Sequence, residues 1–201
     1  MLNAIEFYKK FKETVVEERI YKGRSYWEIY RDAKFSAFTY LVNKKLIHKI
    51  LEESGLLISH EYFRIDTIGW NEKYLELDEK EAKDLGLKRH LWDLKIAVEH
   101  ENDKEDWLDE LIKLVHIRCP LKVIIGYNHC DQRDKQERDK LAYAANCMDM
   151  VKAFHTADDE KYLIIIGNGA PKDTKAAPYT NFDYRGYLYN HIERQFERIM
   201  V

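Results

Sequence analysis

Three acidic residues stand out by type and spacing: Asp66, and the pair Glu99 and Glu101 on either side of His100. In residues 91–102, Leu94, Ile96 and Val98 alternate with Lys95, Ala97 and Glu99, which is the two-residue period of a half-buried strand. Side chains two apart on a strand leave the same face, so Glu99 and Glu101 are expected side by side. Neighbouring carboxylates repel each other unless positive charge sits between them. A divalent cation bound through oxygen supplies that charge. His100 faces the other side of the strand and is expected to be a hydrogen-bonded core histidine.

The elements that must position these groups follow from patterning. Residues 61–70 read as a strand, with Tyr62, Phe63, Ile65 and Ile68 apolar and with Arg64 and Asp66 sharing a face. Residues 103–115 place Trp107, Leu108, Leu111, Leu114 and Val115 on one helical face, with Asn102 or Asp103 as the cap. Residues 121–125 are nearly all apolar, as in a strand covered on both faces. Two parallel strands joined by that helix would form a right-handed crossover. Upstream, residues 2–20 predict an amphipathic helix, and residues 25–53 a longer one stopped near Gly55. The longer helix would carry Glu28, Arg31, Lys34 and the Lys44-Lys45 pair. A short helix is expected over 78–85 and another over 137–155, with polar residues 129–140 beginning as a loop. Residues 162–166 predict a buried strand closed by Gly167-Asn168-Gly169, and residues 170–181 a loop. The chain then predicts a short strand or turn at 184–187 and a helix over 188–200. No internal repeat or low-complexity tract occurs.

Composition narrows the class. A chain of 201 residues with 34% charged residues and a formal net charge of −3 reads as one soluble globular domain. Its expected parts are an N-terminal helix over 1–24, a core over 25–127 and a helix-strand-helix extension over 128–201. No apolar run approaches bilayer length, and the first twelve residues are too charged for a signal peptide. The three cysteines, Cys119, Cys130 and Cys147, show no CxxC spacing and point to a reducing, cytoplasmic setting. Charge is uneven. Residues 1–60 carry a net +3 and residues 61–120 a net −6. The N-terminal helices could therefore offer a modest basic face to phosphate, and a cation site would account for part of the acidic middle.

The order of helix, strand with Ile65-Asp66, strand ending Glu99-His100-Glu101, helix and buried strand resembles the restriction-endonuclease-like, or PD-(D/E)XK, nuclease superfamily. The resemblance covers residues 26–127, about half of the chain. It implies an α/β fold, a mixed central sheet flanked by helices. It also implies magnesium-dependent (or manganese-dependent) hydrolysis of DNA phosphodiesters, with DNA as partner, no membrane association and a possible homodimer. Asp66, Glu99 and Glu101 would be the acidic residues of the site, their carboxylates converging within one metal-coordination sphere. Asp66 and Glu99 would ligate the metal directly and the His100 carbonyl would be a third ligand. The metal would activate water and neutralise charge on the phosphate. Most members carry lysine where this chain has Glu101, so the lysine's role passes to another residue: Lys122, Lys95 and Lys104 are the candidates. Glu28 occupies the helix where several members place an additional acidic residue. A non-catalytic module of the same fold, binding nucleic acid or protein, is the alternative.

Other motifs carry less. His129-Cys130 lacks zinc-finger spacing. Gly167-Asn168-Gly169 after a strand is compatible with a phosphate-binding turn and hence a nucleotide, but it lacks the Lys-Ser/Thr of a P-loop. Tyr179, Tyr184, Tyr187 and Tyr189, with Arg185 and Arg194, could stack bases, or could be packing aromatics.

Overall fold

A computed structural model of the chain describes residues 2–17, 23–32, 35–72, 79–86, 92–103, 106–128, 133–152, 154, 159–169 and 182–201. Helix α1 (Ala4–Glu17) opens with a reciprocal cap, in which the Glu6 N–H donates to Asn3 and the Asn3 N–H donates to Glu6, each at 3.0 Å. Its apolar stripe buries Phe7, Tyr8, Phe11 and Val15. The single helix expected over 25–53 is divided. It comprises α2 (Tyr26–Arg31), α3 (Phe35–Leu41), a π-helical segment (Val42–Ile47) and α4 (His48–Glu52). Gly55, at φ +73°, follows α4 where a left-handed residue ends a helix at least cost.

The strand expected over 61–70 is two strands. β1 (Leu57–Tyr62) turns at Phe63-Arg64 into β2 (Ile65–Glu72). The short helix α5 (Glu79–Asp84) ends at Gly86, as read from sequence. Then come β3 (Trp92–His100), α6 (Trp107–Val115), β4 (Leu121–Asn128), α7 (Arg133–Asp149) and β5 (Lys161–Asn168). Asp106, rather than Asn102 or Asp103, is the cap residue of α6. The helix expected over 188–200 is instead a hairpin of β6 (Asp183–Asn190) and β7 (Gln195–Arg198). Asn190 Oδ1 accepts the N–H groups of Ile192 at 2.9 Å and Glu193 at 3.1 Å, which folds the chain back before a helix can propagate.

The result is a mixed α/β architecture built on one seven-stranded sheet in the order β1-β2-β3-β4-β5-β6-β7. The pairs β3–β4 and β4–β5 are parallel, and the other four are antiparallel. β5, β6 and β7 therefore extend the same sheet. β4 lies at its centre with all eight residues buried. The strand period sorts side chains between two cores. Ile96, Val98, Val123, Ile125 and Tyr127 face α1 to α4. Ala97, Ile124, Ile164 and Ile166 face α6 and α7. As expected, Trp107, Leu111 and Val115 lie buried against β4, with Leu108 half-buried beside them. The Trp107 ring comes within 3.0 Å of where a Cβ on Gly126 would sit, so glycine there admits the helix to the sheet. Each such buried apolar side chain contributes about 1.5–3 kcal/mol. Among the described residues, no helix is long and apolar enough to cross a membrane.

Candidate active site

The β2–β3 ladder pairs Thr67 with Val98, and Asp66 and Glu99 are the next residues on their strands. They meet there. The Asp66 N–H donates to Glu99 Oε2 at 3.3 Å, and the His100 N–H donates to Asp66 Oδ2 at 2.9 Å. Each carboxylate thus accepts a backbone N–H from the neighbouring strand, Glu99 from Asp66 and Asp66 from His100, and the Asp66 charge is near enough to act on Glu99. Asn43, buried in the π-helical segment, donates its side-chain amide to Asp66. A π turn of this kind re-aims one helical side chain, and such turns recur at functional sites.

The third charged group comes from α6. Lys113 Nζ lies 2.6 Å from Glu99 Oε1, pairs also with Glu110, and donates to the Arg64 carbonyl at 2.9 Å. The parallel crossover brings it in: α6 packs on β3 and β4, so its last turn stands over the end of β3. Glu99 is 2% exposed and Lys113 remains half-buried. Sequence reasoning did not find Lys113. On α6 it neighbours Asp109 and Glu110 and reads as an ordinary solvated helix charge.

The electrostatics are those of carboxyls taken out of water. Burial pushes the Glu99 carboxyl up to about 8; the bond to Lys113 opposes this and the nearby Asp66 charge adds to it. Asp66 is raised by burial as well, against the bonds from the His100 N–H and Asn43. The lysine ammonium is held above its usual range by its two carboxylate partners, against desolvation. A carboxyl with a raised folded-state pKa stabilises the fold at low pH, and that contribution disappears as pH climbs through the folded value. Metal-free protein is therefore expected to lose stability between about pH 4.5 and pH 8. Urea midpoints across that range test this, and a flat or rising profile would contradict it.

The other expected site residues lie elsewhere. Glu101 follows β3. Its N–H donates to the Ile125 carbonyl at 2.9 Å, and its carboxylate accepts the Asp103 N–H at 2.7 Å. Among the described residues, no group of three or more His, Cys, Asp or Glu side chains is arranged to hold a metal ion. The expected trio is thus a pair, Asp66 and Glu99. Lys122 is 1% exposed and pairs with Glu160, with Tyr162 Oη at 2.9 Å, so its ammonium is spent inside the far end of the sheet. Register places Lys122 opposite Ala97, two residues before Glu99. Lys95 pairs with Asp93 at 2.6 Å. Lys104 lies outside the described residues. Glu28 closes the capping box of α2, accepting the Ser25 N–H at 2.7 Å.

His100 is the core histidine expected. Its Nε2 meets Tyr127 Oη at 2.9 Å, its ring packs beside Phe38, and burial lowers its pKa to about 3, so it stays neutral. Tyr184, Tyr187 and Tyr189 are buried, Arg185 pairs with Glu137 and Asp183, and Arg194 lies 3.6 Å from Asp149. Tyr179, His129 and Cys130 lie outside the described residues. Gly167 and Asn168 belong to β5. A Cβ on Gly167 would lie 2.7 Å from the Tyr127 ring, and Asn168 donates to the buried Glu137 at 2.6 Å. Cys119 is a buried thiol pushed up to about 12 by desolvation.

No protein-family model, curated protein or solved structure matches this chain. The site's own chemistry therefore carries the functional argument. Magnesium is commonly held by one or two carboxylates, with water and substrate phosphate completing the shell. Asp66 and Glu99 fit that demand in donor type and placement: they are hard oxygen donors on neighbouring strands, joined through the Asp66 N–H.

Proposed function

We propose that the chain is a divalent-cation-dependent nuclease of the restriction-endonuclease-like, PD-(D/E)XK type, hydrolysing phosphodiester bonds of DNA. One observation carries the reading: Asp66 and Glu99 meet on consecutive strands, with the Lys113 ammonium 2.6 Å from Glu99. The element order around them supports it. A helix precedes three antiparallel strands, a second helix crosses over, and a buried strand returns parallel to the third.

In this reading Asp66 and Glu99 hold the metal, which supplies an activated water and neutralises charge on the phosphate. Asn43 and the His100 N–H fix the Asp66 carboxylate, whereas Glu99 would have to release Lys113 or the Asp66 N–H to offer an oxygen to the metal. Lys113 takes the role of the lysine that Glu101 displaces. Its ammonium stands beside Glu99 and faces the negative charge that builds on the phosphoryl oxygens.

The experiment is cleavage of supercoiled plasmid and of short single- and double-stranded DNA with magnesium, with manganese or with chelator. Manganese binding is followed in parallel by electron paramagnetic resonance. Metal-dependent cleavage with binding of manganese is the expected result. Lys113→Ala should then slow cleavage by about 10²-fold, the cost of removing one preorganised electrostatic group. Its pH–rate profile should also move to higher pH, because Glu99 loses the partner that opposes its raised pKa. Cleavage that persists in chelator would overturn the reading. No cleavage and no manganese binding would favour the non-catalytic nucleic-acid or protein-binding module.

A further inference from the structure

The β1–β2 hairpin tip stands beside the candidate active site and has a composition the fold does not require. Phe63 is 77% exposed, among the most exposed of the large apolar side chains. Its ring is held edge-on to Tyr62, with centroids 4.4 Å apart at 79°, so it is presented rather than loose. The exposed Arg64 follows it, and Glu61 flanks the turn. The Arg64 carbonyl accepts from Lys113, the same ammonium that pairs with Glu99, and Asp66 lies two residues further on.

The turn is also strained. Glu61, Phe63 and Arg64 have φ of 56°, 49° and 61°. A two-residue turn with positive φ at both positions is formed at least cost by Asn-Gly. Phenylalanine and arginine there oppose the backbone, and neither side chain is repaid by burial. Strain of this kind marks positions kept for something other than folding.

Resting on the nuclease reading, we propose that this hairpin tip engages the substrate, with Phe63 stacking on an unpaired base of single-stranded DNA and Arg64 meeting its phosphate. Bases within a duplex already stack on their neighbours and have no face to offer. An exposed ring beside the reacting phosphate therefore selects DNA whose bases are open, as aromatic platforms in single-strand-binding proteins do.

The test is fluorescence anisotropy with labelled oligothymidine and a labelled duplex, with calcium in place of magnesium so that binding is read without cleavage and Asp66 and Glu99 are left intact. Phe63→Ala should bind oligothymidine about tenfold more weakly, with duplex binding within about twofold, and Phe63→Trp should retain affinity. The combined Phe63→Asn and Arg64→Gly change relaxes the turn. It should raise the thermal midpoint while weakening oligothymidine binding further, opposite movements that a purely structural role would not produce. Unchanged oligothymidine affinity in Phe63→Ala, equal losses on both DNAs, or binding of neither would overturn the inference. Its failure is separable from that of the nuclease reading. Wild-type cleavage without Phe63-dependent binding rejects the hairpin alone, and Phe63-dependent binding without wild-type cleavage rejects the nuclease alone.

Discussion

Glu99→Ala should abolish metal-dependent DNA cleavage and weaken manganese binding, yet leave the protein folded. Of the two convergent carboxylates, Glu99 is the more deeply buried and the one joined to both Asp66 and Lys113. Its removal takes away a metal ligand and the anchor of Lys113 at once. The loss should exceed the ~10²–10³-fold typical of deleting a single electrostatic donor. The fold should survive because Ile96 and Val98 of the same strand pack on the opposite face, among α1 to α4. Lys113 keeps Glu110 and the Arg64 carbonyl as partners. In metal-free buffer near pH 8 the variant should even unfold at a higher urea concentration than wild type. The wild-type chain must there ionise a buried carboxyl whose pKa is raised to about 8, and the variant has none at that position. Undiminished cleavage by Glu99→Ala would place the chemistry elsewhere. A variant that unfolds at every pH would show Glu99 to be structural.

The part of this site legible in sequence is the part that strand periodicity reports. Ile96 and Val98 fix the phase of β3, and that phase puts Glu99 on the face opposite them, whereas Leu94, before the irregularity opposite Gly69-Trp70, packs on the α6 and α7 side against the alternation expected of it. The apolar stripe of α6 and the nearly continuous apolar run of β4, interrupted only by Lys122 between Leu121 and Ile125, announce a helix covering a buried strand. What periodicity cannot report is which side chain a helix terminus carries over a strand end. Lys113 and Asn43 reach the site through tertiary packing, with 14 and 23 positions separating them from their partners Glu99 and Asp66. The same limit explains Glu101. Two carboxylates share a face only while the strand stays extended, and β3 ends at His100. The β1–β2 turn escaped notice because Phe63-Arg64 lacks the Asn or Gly that marks such turns. The C-terminal hairpin was misread for the converse reason. Leu188, Ile192, Phe196 and Ile199 recur at helical spacing, but the turn at Asn190 overrides that weak pattern, and Ile192 is left 88% exposed.

Lys122→Ala, by contrast, should damage the fold rather than the chemistry. Lys122 and Glu160 form an ion pair in which the two side chains are 1% and 7% exposed, and Tyr162 closes the other side of the ammonium. Desolvation lowers the lysine's pKa, against the pull of Glu160, so the pair lasts only because each charge answers the other. Glu160 also accepts the Cys119 N–H at 3.2 Å, which ties the start of β4 to the start of β5. Truncating the lysine leaves a buried carboxylate without its countercharge, a change that costs about 3–5 kcal/mol. In a chain of this size that corresponds to a thermal midpoint lower by about 10 °C. Replacing both partners, Lys122→Met with Glu160→Gln, should recover most of the loss, because no charge is then stranded. Turnover per folded molecule at low temperature should stay near wild type in both variants. Full stability with lost turnover in Lys122→Ala would return this lysine to the active site, whereas a double variant no more stable than the single one would show that packing volume, not charge pairing, holds this end of the sheet.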